Sequence, residues 1–161
     1  MTILVLGMGN PILSDDGLGL VVARRLREFP MPSDVEVAES EVGGLRLLEL
    51  VRGFTKVVII DALKSGGEAG AIERVDGNVF RGGHRYGSAH SIHLGTVLEL
   101  GEQLGYEMPA EVVVYTVEAV DVETFGETLS PPVARAADEV VALIGEELRT
   151  GRCPAGLART A

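Results

Sequence analysis

Three residues have the types and the positions to do chemistry: Asp16, Asp61 and His90. Each comes after a different strand-like segment. Asp16 lies in Gly7-Met8-Gly9-Asn10-Pro11-Ile12-Leu13-Ser14-Asp15-Asp16-Gly17-Leu18-Gly19, Asp61 ends Lys56-Val57-Val58-Ile59-Ile60, and His90 sits at a helix entry in Ser88-Ala89-His90-Ser91-Ile92-His93. Two carboxylates and one imidazole form a borderline-hard donor set suited to a divalent transition metal. Three protein ligands leave coordination positions open for water or a substrate group, where a bound ion can polarise a carbonyl and activate water for hydrolysis. Structural readings stand beside this one. Ser14, Asp15 or Asp16 can be an N-cap, and Asp61 can be a turn residue at a strand end. The chain has 3 histidines, His84, His90 and His93, all within ten residues, and a solvated loop would also hold them. His93, about one turn from His90, reads as a helix-surface residue or as a partner that supports a ligand.

The glycines of the first motif suggest a dinucleotide fingerprint, which fails on inspection. Ile12 stands where the third glycine of G-x-G-x-x-G is needed, and Pro11 removes a donor from the loop. Two acids then occupy the helix start, where they repel a pyrophosphate. No Ser-His-Asp arrangement can be assembled. Cys153, the only cysteine, lies in the polar stretch Thr150-Gly151-Arg152-Cys153-Pro154 and reads as a free surface thiol.

The elements that must position these residues alternate strand and helix. Strands are predicted over residues 2–7, 35–39, 56–61, 71–76 and 111–117. Helices are predicted over 16–29, 44–51, 91–104 and 130–149, the last opened by an N-cap at Ser130 and a first-turn proline. Apolar strands in alternation with helices imply an α/β fold: a three-layer α/β/α arrangement around a mostly parallel, twisted sheet of about five strands. Ligands in such sheets bind beyond the carboxyl ends of the strands, here just after residues 7, 39, 61, 76 and 117. With 161 residues, 46% of them apolar and 24% charged, the chain suits one domain (residues 1–150) followed by a flexible tail (151–161). A net charge of -10 argues against nucleic acid as a partner. The absence of a long apolar run or a basic leader, and the lone cysteine, lead us to expect a cytoplasmic protein without membrane contact.

The segments GMGNPILSDDGLG, VVIIDAL, SAHSIHLGTVLEL and VVYTVEAVDVETFGETLSPPV, in this order, resemble the hydrogenase maturation proteases over about residues 2–148. The resemblance implies a small cytoplasmic α/β/α endopeptidase. Such proteins remove a C-terminal extension from the large-subunit precursor of a nickel–iron hydrogenase after nickel insertion. It also implies that Asp16, Asp61 and His90 contact the nickel supplied by the substrate, with zinc or cadmium expected to substitute in vitro. The family's first acidic ligand is often glutamate, so Asp16 holds its carboxylate one methylene nearer the backbone. A second departure is Glu39-Ser40-Glu41-Val42-Gly43-Gly44, where many members have a glycine-rich turn ending in threonine. Glu39 and Glu41 there read as a solvated turn or as extra charge beside the metal. Hydrolysis is open between metal-activated water and an aspartate base. The expected partner is the hydrogenase large-subunit precursor and the expected state a monomer. The alternative is a nickel-dependent binding module or chaperone that does not cleave.

Overall fold

The computed structural model describes residues 1–81, 94–157 and 159–160. Among the described residues, six strands form one sheet: β1 (Ile3–Met8), β2 (Val35–Ser40), β3 (Lys56–Leu63), β4 (Ile72–Asp76), β5 (Glu111–Glu118) and β6 (Arg159–Thr160), in the order β2-β1-β3-β5-β4-β6. β2, β1, β3 and β5 are mutually parallel. β4 runs antiparallel to β5, with β6 parallel to β4 outside it. The helices are α1 (Leu18–Leu26), α2 (Leu45–Val51), α3 (Leu94–Gln103) and α4 (Pro131–Thr150).

Strand side chains alternate between the two faces, and each face buries one half of the core. Val5, Val58, Ile60, Val113, Tyr115 and Val117 pack with Leu18, Val22 and Leu26 of α1 and with Val133, Ala137, Val140 and Ile144 of α4. Leu4, Leu6, Val57, Ile59, Val112 and Val114 pack on the opposite face against Leu47, Leu48 and Val51 of α2 and Leu94, Val97 and Leu98 of α3. This is the three-layer α/β/α architecture that the alternating pattern predicts.

The sheet departs from the expected pattern at β4 and after α4. The strand at 72–76 returns antiparallel because residues 64–71 are too few to carry a parallel crossover. Its end at Asp76 therefore lies beside Val113 at the opposite edge of the sheet, so the expected ligand position after residue 76 is wrong. The segment after α4, expected to be a flexible tail, makes contacts at several of its described residues. Pro154 is buried, Leu157 packs against the core, and Arg159–Thr160 pair with Arg74 and Val75.

The glycines that imitate a nucleotide fingerprint serve helix–sheet contact instead. A Cβ on Gly19 would sit 2.2 Å from the Met8 carbonyl oxygen and 2.4 Å from that of Ile60, and one on Gly7 would sit 2.1 Å from the Gly19 oxygen. α1 thus rests directly on the backbones of β1 and β3. Gly19→Ala should push the helix off the sheet and lower stability by about 3 kcal/mol, read from urea unfolding. An unchanged midpoint would refute this packing.

Candidate active site

The sheet order places β2 on one side of β1 and β3 on the other. The chain thus leaves β1 and β3 at a topological switch point, where open α/β sheets form a crevice. β1 pairs with β3 only as far as Gly7 opposite Ile60, and β3 continues beside β5 to Leu63 opposite Glu118. Asp61 therefore lies within β3, one residue past the end of its pairing with β1. It is not the last residue of the strand, as the sequence pattern suggested. It shares the face of Val57 and Ile59, on which α2 and α3 pack, and is 1% exposed. A carboxylate buried this deeply keeps its charge only against a compensating cation or donated hydrogen bonds.

Asp16 reaches the same edge from β1. Gly9 takes a φ of +151°, and a Cβ there would lie 1.9 Å from the Asp16 carbonyl oxygen, so glycine lets the turn fold back on the strand end. Asn10 Oδ1 accepts the Ile12 N–H at 3.2 Å, closing an Asx turn. The Asn10 N–H in turn donates to Asp16 Oδ2 at 3.0 Å. Ser14–Gly17 then form a 3-10 turn that leads into α1. Asp16 remains partly exposed there.

The neighbouring acid has a different role. Asp15 is fully buried. Its Oδ1 accepts the Ser130 N–H at 2.7 Å. Its Oδ2 accepts from the Val120 N–H at 2.9 Å, the Asp121 N–H at 3.1 Å and the Ser130 hydroxyl at 2.9 Å. This carboxylate ties the loop between β5 and α4 to the first motif and is saturated by that work. Asp16, the acid singled out from the sequence, is partly exposed at the rim, and its neighbour Asp15 builds that rim. Ser130 does occupy the position before α4, but its hydroxyl serves Asp15 and makes no cap hydrogen bond. Asp15→Ala would strand three backbone donors, with an expected loss of about 3 kcal/mol in urea unfolding. A loss below about 1 kcal/mol would remove the clamp from the account.

Glu118, at the end of β5, is a second organising acid that sequence reading missed. Its Oε1 accepts the N–H groups of Ser65, Gly66 and Gly67 at 2.8, 2.9 and 3.1 Å, and its Oε2 accepts the Ser65 hydroxyl at 2.8 Å. Burial raises its pKa, but these bonds outweigh burial and leave it below the usual carboxylate value. The available signal was a glycine pair after β3, whose exposed N–H groups need an acceptor. Asp121 is held at a pKa of about 2 by hydrogen bonds from Thr124 and Glu123, which close the β5–α4 loop on itself.

Glu39 does not supply spare charge to the crevice. It lies in β2 and pairs with Arg24 at 2.9 Å and with Arg27, both from the α1 end of the chain. Glu41 is exposed. His90, His84 and His93 lie outside the described residues, in the segment that precedes Leu94, the first residue of α3. Among the described residues no group of three His, Cys, Asp or Glu side chains is placed to hold a metal ion. The structure thus brings Asp16 and Asp61 to one sheet edge.

A hollow of about 820 Å³ lies at the opposite edge, lined by Lys56, Arg74, Glu111, Glu147 and Cys153 among others. Its two buried cations, Lys56 and Arg74, are already matched. Lys56 Nζ is 2.9 Å from Glu147 and 3.0 Å from Glu111, and Arg74 donates to Glu147 at 2.8 and 2.9 Å. We assign it to stability and not to chemistry.

A three-layer α/β/α protein with two acids at the carboxyl edge of its β1–β3 switch point is the class defined by this fold and this edge. The chain belongs to the hydrogenase maturation protease family, whose model matches residues 20–147. Relatives include the hydrogenase expression/formation protein HupD of Thiocapsa roseopersicina, 31% identical over 81% of this chain and 60% of its own length. HupD of Bradyrhizobium diazoefficiens is 30% identical over 81% of this chain and 69% of its own length. The chain thus spans well under the full length of these relatives. Among solved structures, the hydrogenase maturating endopeptidase HybD from Escherichia coli aligns with a TM-score of 0.80, 25% identity and 94% coverage of both chains. HybD from Thermococcus kodakarensis aligns at 0.69 with 26% identity, over 92% of this chain and 99% of that one. Among the described residues no helix is long and apolar enough to cross a membrane.

Proposed function

We propose that this protein is an endopeptidase that removes the C-terminal extension of a nickel–iron hydrogenase large-subunit precursor once nickel is in place. Family membership supports the reaction class, and the observation that carries the site is the pair Asp16 and Asp61 at the switch-point edge. In this reading the nickel is part of the substrate. Asp16, Asp61 and His90 offer it temporary donors, and the precursor tail is thereby seated with its scissile bond at the crevice. Water attacks the scissile carbonyl carbon, the C–N bond breaks, and a proton passes to the departing amine. A metal-activated water and an aspartate base are both compatible with this arrangement. Asp15 is not the base, because its oxygens already accept four hydrogen bonds from the loop it anchors.

Specificity then comes from the metal and the docking surface more than from a deep side-chain pocket. The monomer is the state that suits a protein that must apply its sheet edge to a larger partner. The test is to incubate the protein with nickel-loaded and nickel-free precursor and to measure the mass of the precursor's C-terminal fragment. Shortening confined to the nickel-loaded form is expected. Binding without shortening would favour a nickel-dependent binding module instead.

A further inference from the structure

An exposed aromatic side chain stands at the rim of this edge on backbone that is held in place. Phe125 is 80% exposed, one of only 4 phenylalanines in the chain. Such exposure in a mobile loop would mean little. This loop is hydrogen-bonded on every side. Asp15 grips its beginning and its end through Val120, Asp121 and Ser130. Asp121 closes its middle through Glu123 and Thr124. The Ser14 hydroxyl donates to the Thr124 carbonyl at 2.8 Å, the Ser14 N–H donates to the Gly126 carbonyl at 2.8 Å, and the Gly126 N–H donates to the Ile12 carbonyl at 2.9 Å. Ile12, 47% exposed, is thus tied to the residue next to Phe125, and both flank the turn that carries Asp16.

We propose that Phe125, with Ile12 beside it, is the apolar anchor by which this protein docks the body of its precursor substrate next to the scissile segment. The proposal rests on the function proposed above. Any folded partner that brings a peptide to Asp16 and Asp61 must lie across this rim. A preorganised aromatic loses little entropy on insertion, which is the property of interface residues that dominate binding energy. The surroundings specify the partner's chemistry. Glu41, Glu123 and Glu127 are exposed on the loops of the same edge, on a chain of net charge -10. The complementary surface is an apolar hollow rimmed by lysine or arginine.

The experiment is steady-state processing of nickel-loaded precursor by wild type, Phe125→Ala, Phe125→Leu and the double variant E123K/E127K. Thermal melts verify that each variant folds, which exposure of all three positions favours. Phe125→Ala should raise KM roughly tenfold with kcat nearly unchanged, and leucine should recover part of the loss. E123K/E127K should raise KM as well. A KM for Phe125→Ala within about threefold of wild type, or a fall confined to kcat, would overturn the anchor while leaving the protease reading intact. An unchanged or lowered KM for the charge-reversed variant would overturn the basic rim. If wild type itself leaves the precursor uncut, the protease reading fails and the anchor falls with it.

Discussion

Asp61→Asn is expected to reduce processing of the nickel-loaded precursor by roughly 10²–10⁴-fold while the protein stays folded. Asparagine has the shape of aspartate, and β3 retains every backbone bond to β5 around it, so the substitution removes charge without removing volume. What disappears is the negative charge of a carboxylate buried in β3 beside the switch point, whether it works as a metal ligand or as a base. Asp16→Asn should behave alike, because an amide oxygen can still accept the Asn10 N–H that closes the turn. Asp15 supplies the contrast. Its replacement lowers stability, because its oxygens accept from loop backbone on β5's far side of the motif. The measurement is precursor shortening by mass, paired with a thermal melt for each variant. Full activity in both Asp61→Asn and Asp16→Asn would end the site assignment. His90→Ala completes the series from the segment outside the described residues.

The contrast between Asp15 and Asp16 also marks the limit of what the sequence could express. Alternating β-branched runs and helical stripes identify the layers, because burial on two faces leaves no other pattern. Asp61 was legible as a charge closing the run Val57–Ile60, although β3 continues two residues past it and buries it. Asp16 was singled out from the sequence, but the clamping role of Asp15 was not legible. It depends on which side of a 3-10 turn meets residues 120–130, a contact across more than one hundred positions. The same holds for Glu118, whose work is done on a turn more than fifty residues earlier. The direction of β4 could have been derived from the short connection 64–71, and the first-motif glycines from the absence of a third one. Both are statements about chain length and volume. Carboxylates that satisfy remote N–H groups leave no local pattern, since the donors are backbone and every residue type supplies them.

The buried charge network under α4 yields the other large effect. Glu147 is 2% exposed and accepts from Lys56, from Arg74 twice and from the Tyr115 hydroxyl at 2.6 Å. Burial alone would raise its pKa. The hydrogen bonds from Arg74, Tyr115 and Lys56, with the charge of Lys56, reverse the sign and hold it at about 2, against 4.5 for a free glutamate. Lys56 shifts the opposite way and is raised: burial lowers it, but the bonds to Glu147 and Glu111 prevail. Glu147→Gln leaves Lys56 and Arg74 buried without their shared counter-charge, so a loss of about 3–5 kcal/mol is expected in urea unfolding at pH 7. The pH dependence separates lost charge from lost packing. A carboxylate whose folded pKa lies below its unfolded one contributes fully above about 4.5, and that contribution drains away as pH falls through about 2. The stability gap between wild type and Glu147→Gln should therefore narrow by about 2 kcal/mol between pH 7 and pH 3. A gap that stays constant over that interval would mean that Glu147 stabilises through packing and neutral hydrogen bonds, and that its charge is incidental. A gap that narrows ties the C-terminal part of α4 to Lys56 of β3 and Arg74 of β4 by electrostatics. The edge that holds the acids would then be supported from the opposite end of the sheet by a cluster that takes no part in the chemistry.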